Sequence, residues 1–97
     1  MEFEWDENKN AINCTKHRLS FEEAIQIFEG PVWTRSDLDS DEGEYREISI
    51  GMLPGSSVLV VVHTERGQRS RIISARKATR RERNEYFGYL QETFGGN

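Results

Sequence analysis

Apolar positions along this chain follow helical spacing at first and strand alternation later. Phe3-Glu4-Trp5 predicts a short strand. Asp6 then caps a helix on which Ala11, Ile12 and Thr15 keep helical spacing, ending near His17. Ser20-Phe21-Glu22-Glu23 matches a capping box, in which the Ser20 hydroxyl accepts from the Glu23 amide while Glu23 reaches back. Phe21, Ala24, Ile25 and Phe28 recur at i, i+3, i+4 and i+7, one buried stripe that Gly30-Pro31 stops.

From Val32-Trp33-Thr34 onward the pattern is that of strands. An acidic stretch, Asp37 to Glu44, predicts a mobile loop. Arg46 to Met52 alternates with period two, and Pro54-Gly55-Ser56-Ser57 supplies a hairpin turn. Ser57 to Thr64, built on the unbroken apolar run Val58 to Val62, fits a central strand covered on both faces. Glu65-Arg66-Gly67-Gln68 is the next turn and Ser70 to Arg76 the last strand. Thr79-Arg80-Arg81-Glu82 repeats the capping box and opens a final helix with Tyr86, Phe87, Leu90 and Phe94 on one face, ended by Gly95-Gly96. The order strand, two helices, four strands, helix places the chain in the α+β class. It predicts a mainly antiparallel sheet with helices packed on it, one domain over residues 1–97.

Composition narrows the function classes. The longest apolar run, Val58 to Val62, is far below the roughly 20 residues of a membrane helix. The acidic start, Met1 to Asp6, lacks a secretory pattern, and the single Cys14 permits no internal disulfide, so a cytoplasmic location without membrane contact is expected. The formal charge of −4 divides into −8 over residues 1–48 and +4 over residues 49–97. A chain acidic overall does not bind polyanions by general attraction, so an anion site must be local. Arg71, Arg76, Lys77, Arg80, Arg81 and Arg83 mark where to look.

Strand parity puts Arg46 on the side of Ile48, Ile50 and Met52, facing helices and core. Either it pairs with Glu44 or Glu65, or it stands at a cleft mouth aimed at phosphate. Ile72, Ser74 and Arg76 share a face, which sets Arg76 at the end of its strand. Arg80 and Arg81 occupy the first turn of the last helix, where cations oppose the macrodipole by about 0.3–1 kcal/mol each. A phosphate held by the helix amides with Arg76, Lys77 and Arg80 explains that placement; a solvated basic face pairing with Glu82 and Glu85 is the plain alternative. Lys16-His17 is the other place where a proton-transfer group adjoins a cation. His63, beside Val61, reads as packing or hydrogen bonding. Cys14, His17 and His63 lack metal-ligand spacing, so neither a metal nor another cofactor is expected. Arginines, a lysine and a histidine without metal suit RNA cleavage by the substrate's own 2′-hydroxyl, with Glu65 as an alternative base to His17.

These residues resemble the BrnT-type ribonuclease toxins of bacterial type II toxin–antitoxin systems. The likeness rests on Phe3-Glu4-Trp5-Asp6, Lys16-His17 with Ser20 to Ala24, Gly43-Glu44 with Arg46, Thr64-Glu65-Arg66-Gly67, and above all Arg71 to Ala78. It implies a RelE-like fold, metal-free RNA cleavage that inhibits translation, and a ribbon-helix-helix antitoxin that covers the toxin and links it to operator DNA. It implies a catalytic set of His17, Arg46, Glu65 and Arg76, beside which the basic residues Lys16, Lys77, Arg80 and Arg81 are the candidates for holding RNA. One position departs: the family commonly has glycine after Lys-His, where this chain has Arg18, so a strained or reshaped turn is expected there. The competing reading is a non-catalytic binding module, such as an antitoxin-binding corepressor, that uses the same arginines without turnover.

Overall fold

The computed structural model describes residues 2–37, 45–55 and 57–95. In chain order they form β1 (Glu2–Trp5), α1 (Glu7–His17), α2 (Phe21–Ala24), a 3₁₀ helix (Ile25–Glu29), β2 (Val32–Ser36), β3 (Glu47–Met52), β4 (Val58–Arg66), β5 (Arg69–Lys77) and α3 (Arg80–Phe94). The strands make one sheet in the order β1-β5-β4-β3-β2. Neighbours run antiparallel from β2 to β5, as the alternation predicts, but β1 lies parallel to β5, so the sheet is mixed. The predicted acidic mobile loop, residues 37–44, lies outside the described residues except for Asp37, whose amide donates to the Arg46 carbonyl at 2.9 Å.

Central β4 is covered on both faces over its first half, which is why Val58 to Val62 form an unbroken apolar run. Leu59 and Val61 pack with Phe21, Ala24 and Ile27 on one side, while Val58 and Val60 pack with Ile50 and Tyr86 on the other. We call these the α1 face and the α3 face. On the α1 face, Gly51 lets the 3₁₀ helix approach, since a Cβ there would lie 2.9 Å from the Ile27 Cβ. The β4–β5 turn uses Gly67 at φ 62°.

Three helical expectations need correction. The second helix does not run on as an α-helix: its buried residues Phe21, Ala24 and Ile27 repeat every third position, the spacing of a 3₁₀ helix, which takes over at Ile25. On α3, Tyr86 is buried and donates to the Pro31 carbonyl at 2.7 Å, and Tyr89 stacks on Trp33, while Phe87 and Phe94 point outward. On α1, Ala11, Ile12 and Thr15 are exposed, and the buried positions are Asn10 and Asn13.

That polar inner face has a structural reason. β1 pairs only as far as Ile72, so the second half of β5, paired with β4 on one side, has no strand on the other. The Asn13 carboxamide takes the missing strand's place: its Nδ2 donates to the Ala75 carbonyl at 2.9 Å and its Oδ1 accepts from the Ala75 amide at 3.2 Å. The same Nδ2 reaches the Leu19 carbonyl at 2.9 Å. Asn10 Oδ1 accepts from the Phe21 amide at 2.9 Å, which positions the start of α2. Between α1 and α2 lies Arg18 at φ 55°, ψ 41°, a left-handed conformation that costs a non-glycine residue about 1–2 kcal/mol. The strain expected at this turn is therefore present. Asn13→Ala leaves a buried amide and carbonyl of β5 unsatisfied, and we expect a loss of about 2–4 kcal/mol in chemical denaturation.

Candidate functional site

The geometry of the basic segment begins with an irregularity. Val62 pairs with Ser74 but His63 pairs with Ile72, so Ile73 is an extra residue, a β-bulge. Strict alternation would put Ile72 and Arg76 on one face. The bulge moves Ile72 into the core on the α1 face and leaves Ser74 and Arg76 on the α3 face. Arg71 also lies away from the α1 core and meets Glu4 at 2.9 Å, which holds that carboxyl below its ordinary range. It is a pairing residue of the β1–β5 edge.

Arg76 grips the first turn of α3. Its guanidinium donates to both carboxylate oxygens of Glu82, at 2.7 and 2.8 Å. Glu82 is also the closing residue of the capping box, accepting from the Thr79 amide at 2.8 Å. Glu82 is thus the anion nearest these helix amides. The Arg76 hydrogen bond holds its pKa down at about 2 against an ordinary 4.5, with the Thr79 amide adding to the effect and burial opposing it. A phosphate pocket centred on the helix N-terminus is therefore partly filled by the protein's own carboxylate, and a bound phosphate would have to sit outside it. Around this clamp Lys77, Arg80 and Arg81 are exposed. Arg81 lies 3.7 Å from Glu85, whereas among the described residues neither Lys77 nor Arg80 has a carboxylate partner.

Arg46 precedes β3 and is half-buried. Glu47 lies on the α1 face with His63, so alternation sets Arg46 on the α3 face with Ile48. Ile48, Val62 and Ser74 form one cross-strand row, all half-buried. Arg46 lies one row to one side and Arg76 one row to the other, roughly 16 Å apart by strand spacing. Their side chains therefore flank a single floor on the α3 face. Lys16 and His17 approach from the side. Helix α1 leaves Trp5 opposite Ile72 and reaches Ala75 at Asn13, so it advances toward the Lys77 end of β5, and its last turn lies along the edge that β1 leaves open.

Glu65 does not join them. It lies on β4 five residues from Val60, the partner of Arg76, about 16 Å along the strand and on the opposite face. There it belongs to a different constellation. The Ser49 hydroxyl meets His63 Nε2 at 2.7 Å, and His63 Nδ1 lies 3.3 Å from the Glu65 carboxylate, to which Ser70 donates at 2.7 Å. Glu47 lies directly across from His63, and the ligand atoms of Glu47, His63 and Glu65 fall within 4.8 Å of one another. Reading Cys14, His17 and His63 for spacing misses this trio. The signal that finds it is the β3–β4 register together with the His63-x-Glu65 alternation. Ser49, His63 and Glu65 have the connectivity of a nucleophile triad, but Ser49 is fully buried, so no substrate can reach its hydroxyl.

Comparison with known proteins decides the family. A family model described as the ribonuclease toxin BrnT of type II toxin–antitoxin systems matches residues 5–82. The chain belongs to the BrnT ribonuclease toxin family. The 1.1 Å crystal structure of the Brucella abortus ribonuclease toxin BrnT is similar to it, with a TM-score of 0.62 and 26% identity over 82% of this chain and 99% of that one. Comparison with curated protein sequences gives no match. The BrnT segment takes in His17, Arg46, Glu65, Arg76 and Glu82 and stops in the first turn of α3. Among the described residues no helix is long and apolar enough to cross a membrane.

The Arg76–Glu82 clamp has a pH signature. A carboxyl whose folded pKa is depressed stabilises the fold above its unfolded value, and that contribution fades as pH falls through the folded value. Here the window runs from about 4.5 down to about 2. We expect the denaturation midpoint to fall more steeply across that window in the native chain than in Glu82→Gln.

Proposed function

We propose that this chain is an endoribonuclease that cleaves RNA through the substrate's own 2′-hydroxyl, without a metal ion in the reaction, and thereby inhibits translation. The observation that carries the reading is the pairing of BrnT membership with an α3 face on which Arg46 and Arg76 flank the Ile48–Val62–Ser74 floor. The floor offers apolar surface to a base or sugar, and the two guanidinium groups offer charge-assisted hydrogen bonds to phosphate oxygens. Arg80 and Arg81 extend the cationic track past the end of β5, and Lys77, which pairs with Leu59, adds to it at its margin on the α1 side together with Lys16.

In the reaction, a base takes the 2′-hydroxyl proton and the oxygen attacks phosphorus. The arginines stabilise the charge on the pentavalent phosphorus, the bond to the 5′-oxygen breaks, and that oxygen takes up a proton. The products are a 2′,3′-cyclic phosphate, which water can open to a 3′-phosphate, and a 5′-hydroxyl. His17, at the end of α1, is the proton-transfer group in this reading, and Glu65, on the other face, takes no part in the chemistry. In this reading the mixed sheet and its helices make a RelE-like toxin fold. Its natural partner is a ribbon-helix-helix antitoxin that covers the cationic face and carries the only link to operator DNA; the cytoplasm, where translated RNA lies, is the site of action.

Antitoxin-free protein incubated with single-stranded RNA in EDTA tests this. We expect fragments ending in 2′,3′-cyclic or 3′-phosphate, and a loss of at least a hundredfold in rate for Arg76→Ala. Glu82→Gln breaks the same clamp but keeps the guanidinium, so it should retain most of the activity. Equal losses in the two variants would make Arg76 structural. Intact RNA with well-folded protein overturns the reading and leaves a binding module.

A further inference from the structure

We propose that Glu47, His63 and Glu65 form a binding site for a divalent first-row transition metal, best suited to zinc, on the sheet face opposite the cationic floor. The donor set is one imidazole nitrogen and two carboxylates, the mixed N/O chemistry that zinc takes. Zinc ligands at about 2.0–2.1 Å in tetrahedral array stand about 3.3–3.4 Å apart. His63 Nδ1 and the Glu65 carboxylate oxygen are 3.3 Å apart. Glu47 reaches the same point from the neighbouring strand, its ligand atom within 4.8 Å of the other two. A small rotation of that side chain closes the third edge, and solvent beside the half-exposed Glu65 supplies the fourth ligand.

The surroundings go beyond a chance meeting of acids. The His63 side chain is only 5% exposed, and the edge of its ring packs against Phe28. Its Nε2 meets the Ser49 hydroxyl at 2.7 Å, and that hydroxyl continues to Thr34 at 2.7 Å. With Nε2–H donated to Ser49, the Nδ1 lone pair is left for a metal, the outer-sphere device that sets tautomer and ring orientation at histidine sites. Ser70 steadies the Glu65 carboxylate at 2.7 Å. The two carboxylates flank one buried imidazole. A dication removes that like-charge crowding.

The role this geometry gives the metal is structural: it ties the ends of β3 and β4 together on the α1 face. The inference is independent of RNA cleavage, so its test reads metal alone. Chelator-treated protein is titrated with zinc chloride by calorimetry and thermal denaturation. We expect saturation at one equivalent, a rise in melting temperature reversed by EDTA, and a dissociation constant raised at least tenfold by Glu65→Gln and by Glu47→Gln. Glu65 is half-exposed, so its variant tests the site even where replacement of His63 impairs folding. No saturable binding overturns the proposal. Saturable binding unchanged in both variants also overturns it, placing zinc elsewhere, as at Cys14 and His17. RNA cleavage persisting in EDTA while zinc raises the melting temperature keeps both readings; cleavage lost in EDTA counts against the metal-free reaction and leaves this site standing.

Discussion

The structure depends on one side chain standing in for a strand. Asn13 presents an amide to β5 where β1 has ended and satisfies both polar groups of Ala75. A longer β1 would satisfy them too, but it would close the edge of the sheet. With a helix residue there instead, the Lys77 end of β5 keeps an open flank along which the last turn of α1 lies. The same carboxamide holds the Leu19 carbonyl, so one residue orients β5, α1 and the strained turn at Arg18 together. Leaving such groups unpaired in the interior would cost about 1–3 kcal/mol each, which is why a polar inner face on α1 is stable.

From that arrangement follows a division of the sheet into two chemical surfaces. The bulge at Ile73 turns the end of β5 so that Arg76 stands on the α3 face, where Glu82 fixes it from the first turn of α3. Arg46 reaches the same face from β3. On the other side the regular β3–β4 register sets Glu47 across from His63, and Glu65 follows two residues later. Cations gather on one face and an imidazole with carboxylates on the other. A chain acidic overall can in this way present a local surface to a polyanion.

Much of this was legible in the amino-acid pattern because it is carried by local rules. The capping boxes at Ser20 and Thr79 are both formed, since each needs only four consecutive residues. The central position of β4 followed from its unbroken apolar run. What escaped reading was non-local. The parallel pairing of β1 depends on a crossover, and the burial of Asn10 and Asn13 depends on backbone groups far along the chain. A one-residue bulge defeats strict alternation, so the face of Ile72 could not be read from spacing. For the candidate site, Arg46 follows the parity of Ile48 and Ile50, whereas Arg76 reaches that face only beyond the bulge that separates it from Ile72, and Glu65 is drawn away by its place on β4.

The claim that the α3 face is where RNA lies can be read directly by amide chemical-shift mapping with a 2′-O-methyl oligonucleotide, which cannot be cleaved. With RNA on the α3 face, shifts concentrate at Ile48, Val62, Ser74, Lys77 and Arg80, with a second group at Lys16 and His17. Shifts concentrated instead at Phe28, Glu47, His63 and Glu65, with the α3 face unmoved, would contradict it.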